Sequence, residues 1–157
     1  MEILAGENKN NLDYMKIYVL GSNSFVERMV DIKNQLCALG HEGWIHPDYE
    51  AHLRGERQAF PKVKEDHAEN AEFKIAHDYI RAHYQHILAS DAIIVVNEEK
   101  NGIKNYIGGN CLMEMGQAYV NNKKIFLLNG LPSNVSYLAE IKAMRPIILN
   151  GKLDNIS

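Results

Sequence analysis

The sequence predicts an α/β domain built on a five-stranded parallel sheet in strand order 2-1-3-4-5, with helices on both faces. Short runs rich in β-branched residues recur along the chain and alternate with stretches whose apolar residues fall at helical spacing. One run, Ala92-Ile93-Ile94-Val95-Val96, is apolar without interruption, as a strand covered on both faces must be, and such strands belong to parallel sheets. At 157 residues the chain is long enough for a single domain with a core that needs no covalent staples.

Residues 1–14 are polar, with Asn8, Asn10 and Asn11 around Lys9, and read as a flexible leader; residues 15–157 read as one domain. Ile17-Tyr18-Val19-Leu20, ended by Gly21-Ser22, is the first strand. Ser24 and Glu27 form a capping box for a first helix, with Phe25, Met29, Ile32 and Leu36 at helical spacing and Gly40 as the stop. Trp44-Ile45-His46 before Pro47 is the candidate second strand, and the polar, histidine-rich stretch from Asp48 to Asn70 reads as a mobile excursion. One long amphipathic helix is expected from Glu72 to Ala89, leading into the central strand 92–96. A loop from Asn97 to Asn110, a helix from Cys111 to Asn121, the strand Lys124 to Leu128, a helix from Ser136 to Met144 and a last strand Pro146 to Leu149 complete the alternation.

Composition excludes several function classes. A net charge of -3, with lysines and arginines scattered, gives no positive field for nucleic acid. Cys37 and Cys111 lack the spacing of a zinc or redox motif, which fits a reducing compartment, and a cytoplasmic location is expected. No apolar run approaches the roughly 18 residues that span a bilayer, so no membrane partner is expected. His83 and His86 are three apart, but no third ligand lies nearby in sequence; most of His77, His83 and His86 read as solvated or hydrogen-bonded surface residues and no metal is expected.

In the predicted sheet, ligands belong beyond the carboxyl ends of strands one and three, where the strand order reverses. The loops feeding that point carry Gly21, Ser22, Asn97, Gly108, Gly109 and Asn110, the candidate substrate contacts, with Asn110 also placed to cap the next helix. Glu114 sits in the first turn of that helix, where the dipole favours an ionised carboxylate, suited either to stability alone or to nucleophilic chemistry. A wheel grouping Leu112, Met115, Gly116 and Tyr119 on one face directs Glu114 away from the core. It would then reach a ligand only at the helix end or beside a neighbouring subunit. Asp91 before the central strand reads as a turn or cap residue, and Tyr18 as a core residue whose hydroxyl could reach the sheet edge.

Lys16-Ile17-Tyr18 entering Gly21, Ser90-Asp91-Ala92-Ile93-Ile94 after a long helix, and Glu114-Met115-Gly116-Gln117-Ala118-Tyr119 before Lys123-Lys124-Ile125 form an ordered set. That set resembles the nucleoside 2-deoxyribosyltransferase-like superfamily, which includes deoxynucleoside monophosphate N-glycosidases, over about residues 16–128. The resemblance implies a flavodoxin-like three-layer sandwich and a cofactor-independent enzyme acting on a small-molecule nucleoside or nucleotide. In that reading Glu114 attacks the anomeric carbon, Tyr18 orients Glu114, and Asp91 handles the sugar hydroxyl or the base. It also implies a homo-oligomer. One departure stands out: where the transferases carry an acidic residue shortly before the nucleophile, this chain has Tyr106-Ile107-Gly108-Gly109-Asn110. A non-catalytic nucleotide-binding module of the same fold is the alternative expectation. A flavin carrier shares the sheet order, but the phosphate loop rich in Ser and Thr that it needs is not recognisable in the sequence.

Overall fold

A computed structural model describes residues 14–56 and 67–157. The leader expected over residues 1–14 therefore lies outside the described residues, Tyr14 apart. Five strands form one all-parallel sheet in the order 2-1-3-4-5: β1 Lys16–Gly21, β2 Glu42–Trp44, β3 Ala92–Val96, β4 Lys124–Leu127 and β5 Ile147–Ile148. Helices α1 Val26–Ala38, α2 Pro47–Leu53, α3 His67–His77, α4 Tyr79–Leu88, α5 Gly109–Val120 and α6 Leu138–Ala143 complete a flavodoxin-like sandwich. Among the described residues no helix is long and apolar enough to cross a membrane.

The two-residue period of the strands sorts their side chains between two cores. Ile17, Val19, Ile94, Val96 and Phe126 face α1, meeting Met29, Ile32 and Leu36. Tyr18, Leu20, Ile93, Val95 and Leu127 face the other way, onto Ile87 of α4, Cys111 and Met115 of α5 and Ile141 of α6. Tyr18 is therefore directed by strand geometry toward α4 and α5. Gly21 closes β1 beside Val96, where an added Cβ would stand 2.9 Å from the Val96 carbonyl oxygen and 3.0 Å from Met29 Sδ. A side chain there would push the two central strands apart.

Four local expectations are corrected. The second strand is Glu42–Trp44; the residues after it are claimed by α2, because His46 Nδ1 accepts the Asp48 amide at 3.2 Å and Pro47 takes the first helical position. The stretch expected to be a mobile excursion thus begins as a helix with Tyr49 buried, and residues 57–66 lie outside the described part. The single long helix over 72–89 is two, broken at Asp78, whose backbone is left-handed with φ 47°. Ser22, not Ser24, caps the helical turn after β1: its Oγ accepts the Ser24 amide at 3.3 Å, and a 3-10 turn over Asn23–Phe25 precedes α1.

Candidate functional site

The chain leaves β1 toward β2 on one side and leaves β3 toward β4 on the other, so a crevice opens beyond their carboxyl ends. A cleft of about 420 Å³ occupies it. Its floor is the Gly21-Ser22-Asn23 turn and the Gly108-Gly109-Asn110 start of α5; its walls include Tyr49, Phe73, Tyr79 and Tyr106. Gly109 brings bare backbone to the cleft, since an added Cβ there would meet nothing within 4 Å.

The loop after β3 is held by Asn97, which is fully buried. Its Nδ2 donates to the Gly130 carbonyl at 2.8 Å and its Oδ1 accepts the Asn129 amide at 2.9 Å, so Asn97 clamps two loops together and does not line the cleft. Further along, Lys100 and Ile103 exchange backbone hydrogen bonds of 3.1 and 3.0 Å around Asn101 and Gly102, both at positive φ. Asn-Gly is the pair that a two-residue hairpin of this hand demands. The hairpin brings Lys100 over the cleft, where Nζ donates to Ser22 Oγ at 2.9 Å and lies 5.2 Å from the centre of the Tyr106 ring. Across the cleft, Lys74 Nζ donates to Asn110 Oδ1 at 2.8 Å. Asn110 is thus bound to a lysine and caps nothing; Gly108 occupies the cap position of α5 without a side-chain bond.

Glu114 overturns the expectation of an outward, ionised residue. The inward stripe of α5 is Cys111, Glu114, Met115 and Ala118, spaced i, i+3, i+4, i+7, and Tyr119, which the wheel placed inward, is 48% exposed. Glu114 is only 6% exposed and lines the cleft of its own chain, so its direction no longer calls for a neighbouring subunit. Burial outweighs the helix dipole: it pushes the carboxyl up to about 8, against a smaller opposing pull from Lys74.

His83 stands beside it, with Nδ1 3.7 Å from Glu114 Oε1, too far for a hydrogen bond. The same nitrogen lies 2.7 Å from the Tyr18 hydroxyl. Tyr18 is fully buried and its hydroxyl pairs with this nitrogen, the phenol donating in the tautomer that carries the imidazole proton on Nε2 and accepting in the other. Burial first, then the nearby His46 and His86, lower His83 to about 3. At neutral pH the imidazole and the carboxyl are both uncharged. Burial also drives the Tyr18 and Tyr49 hydroxyls and the Cys111 thiol upward, so all three keep their protons.

The expected site residues thus separate. Glu114, Gly21, Ser22, Gly108, Gly109 and Asn110 line the cleft, and Tyr18 reaches it through His83. Asp91 does not: it precedes β3 at the amino end of the sheet, where Oδ2 accepts the Lys16 amide at 2.8 Å. Its loop-closing fate is the commoner one for an Asp at a strand entry. His83, Lys74, Lys100, Tyr49 and Tyr79 join the cleft without having been singled out as site residues. His83 was legible in the run Tyr79, His83, Ile87, which is the buried stripe of α4; the rest depend on tertiary placement. Among the described residues no three His, Cys, Asp or Glu groups gather to hold a metal ion. Comparison with family models, with characterised proteins and with solved structures finds no match for this chain.

Proposed function

We propose that this chain cleaves or transfers the N-glycosidic bond of (deoxy)nucleosides or nucleoside monophosphates, with Glu114 as the group that takes the anomeric carbon. The observation that carries the reading is Glu114 itself, a buried carboxyl facing a cleft at the switch point of the sheet and the one carboxyl among the described residues that line it. Aromatic walls from Tyr49, Phe73, Tyr79 and Tyr106 suit a planar base, and open backbone at Gly109 allows close approach of a sugar. Lys74 and Lys100 supply donors for hydroxyl or phosphate oxygens. A nucleophilic carboxylate splits one hard displacement into two easier ones, the glycosyl ester passing to a second base or to water.

The test is chromatographic: the protein is incubated with deoxynucleosides and their monophosphates, with and without an acceptor base, and free base is measured. Release that disappears in Glu114→Ala supports the reading; release unchanged in that variant sinks it. One observation favours the non-catalytic nucleotide-binding reading, namely that the second expected carboxylate, Asp91, lies at the far end of the sheet. Thermal stabilisation by a nucleotide without any base release would decide for it.

A further inference from the structure

Glycosidic cleavage ordinarily divides two tasks between two carboxyl groups: one protonates the leaving group, the other takes the anomeric carbon or activates water. This cleft offers one carboxyl among its described lining residues. Asp91 is bound to the Lys16 amide at the opposite end of the sheet. Glu98 is engaged by Arg28 at 3.1 Å and does not line the cleft, and Asp48 accepts the Tyr79 hydroxyl at 2.6 Å from behind the wall. Of the other proton carriers, the buried Tyr18 hydroxyl is paired with His83 and does not itself line the cleft, and Lys74 and Lys100 are anchored on Asn110 and Ser22, where their remaining N–H groups meet hydroxyl or phosphate oxygens.

Resting on the glycosidase reading, we propose that the Glu114 carboxyl group performs both tasks, handing its own proton to the departing base and, as the carboxylate so formed, taking the anomeric carbon. The proton moves from Glu114 to a nitrogen or oxygen acceptor on the base. The bond from C1′ to the base breaks with its electron pair staying on the base, and a Glu114 oxygen bonds C1′ to give a glycosyl ester. Water then attacks C1′, the ester oxygen leaves with its electron pair, and the proton released by that water returns to Glu114. The cycle closes on free base and free sugar with no further acid, base or co-reactant.

The surroundings favour this. Facing Glu114 are Tyr18 from β1, Tyr49 from α2, Lys74 from α3, His83 from α4 and Cys111 from its own helix, and of these only Lys74 stabilises the charged form. Glu114 therefore enters the reaction protonated at neutral pH. His83 is no alternative acid, because its buried ring is uncharged there and its Nδ1 is occupied by Tyr18.

The experiment measures kcat/KM for base release against pH with two kinds of leaving group. Deoxyadenosine and deoxycytidine need a proton to leave, and as nucleosides they have no base proton that titrates between neutral and moderately alkaline pH. The nicotinamide 2-deoxyriboside leaves as a neutral pyridine and needs none. For the first pair kcat/KM is expected to fall tenfold per pH unit above about 8. For the pyridinium nucleoside it should instead rise through the same pH to a plateau. Profiles that run in the same direction for both kinds, a fall postponed to the lysine range above about 10, or a pyridinium nucleoside left intact while deoxyadenosine is cleaved, each overturn the proposal. No base release from any of the three or from their 5′-monophosphates, or release that survives Glu114→Gln, overturns the glycosidase reading itself.

Discussion

Replacing Glu114 by Gln should remove most of the alkaline loss of stability of the whole fold. The carboxyl goes from its ordinary value of 4.5 to about 8 in the folded chain because it is buried, so between those values the folded state holds a proton that the unfolded state releases. Stability is complete below pH 4.5 and drains away as the pH rises through about 8. At about 1.4 kcal/mol per pH unit the interval amounts to roughly 5 kcal/mol, an upper figure because the group borders an open cleft. His83 works with the opposite sign. Burial takes it from 6.5 down to about 3, so it contributes a loss of stability as the pH falls through that interval. The two slopes oppose each other between pH 4.5 and 6.5, which puts the stability maximum there. Urea unfolding of the wild type, Glu114→Gln and His83→Gln at pH 3.5, 5.5, 7 and 9, on the order of the intervals above, reads both limbs. Glu114→Gln should flatten the alkaline limb alone and His83→Gln the acid limb alone. If Glu114→Gln declines from pH 5.5 to 9 as steeply as the wild type, the burial argument is wrong.

Four further substitutions separate the duties of single residues. Gly21→Ala drives a Cβ against the Val96 carbonyl and Met29, so it should lose about 1–3 kcal/mol in a thermal or urea melt, whereas Gly109→Ala, with open space before it, should melt as the wild type does and raise KM instead. Tyr18→Phe leaves the buried His83 Nδ1 without its hydrogen-bond partner and should lose about 1–3 kcal/mol, with the 15N shift of that nitrogen moving in the same sample. Asp78→Gly relieves a left-handed backbone at the break between α3 and α4 and gives up an exposed ion pair with Arg81, so its melting temperature should hold or rise by a few degrees.

The order of the sheet was legible because it follows from a few strong signals. The unbroken run Ala92–Val96 could only be a strand covered on both faces, and β3 is indeed flanked by β1 and β4 with every residue buried. Boundaries were less legible where local chemistry competes with pattern. Trp44-Ile45-His46 has strand composition, yet pairing with β1 ends at Trp44, because His46 caps α2 and Pro47 starts it. The helix over 72–89 looked continuous because the apolar positions span both halves, but Ile75 and Ile80 are exposed and the break at Asp78 resets the phase. A left-handed Asp carries no compositional mark, whereas Asn101-Gly102 carries a plain one, and the hairpin it builds positions Lys100.

The site was legible as a place and misread as a state. Position along the helix gave Glu114 a favourable dipole, and a wheel seeded on Leu112 turned it outward; both inferences treat α5 as an isolated helix. What decides the matter is the sheet beneath. Met115 and Ala118 are drawn onto Ile93, Val95 and Leu127, and a residue at i+3 from Cys111 must then descend into the same interface. Where the sheet is covered this would bury an unpaired charge at a cost of several kcal/mol, which no fold of ordinary stability tolerates easily. Two circumstances make it tolerable here: the carboxyl holds its proton, and it lies at the end of β1 and β3, where the sheet stops and the cleft begins. The same packing that makes Glu114 a burden to the fold at high pH is what leaves a protonated carboxyl facing a ligand at neutral pH. A hydrophobic residue at this position would stabilise the chain above pH 8 and leave the cleft without its only described carboxyl.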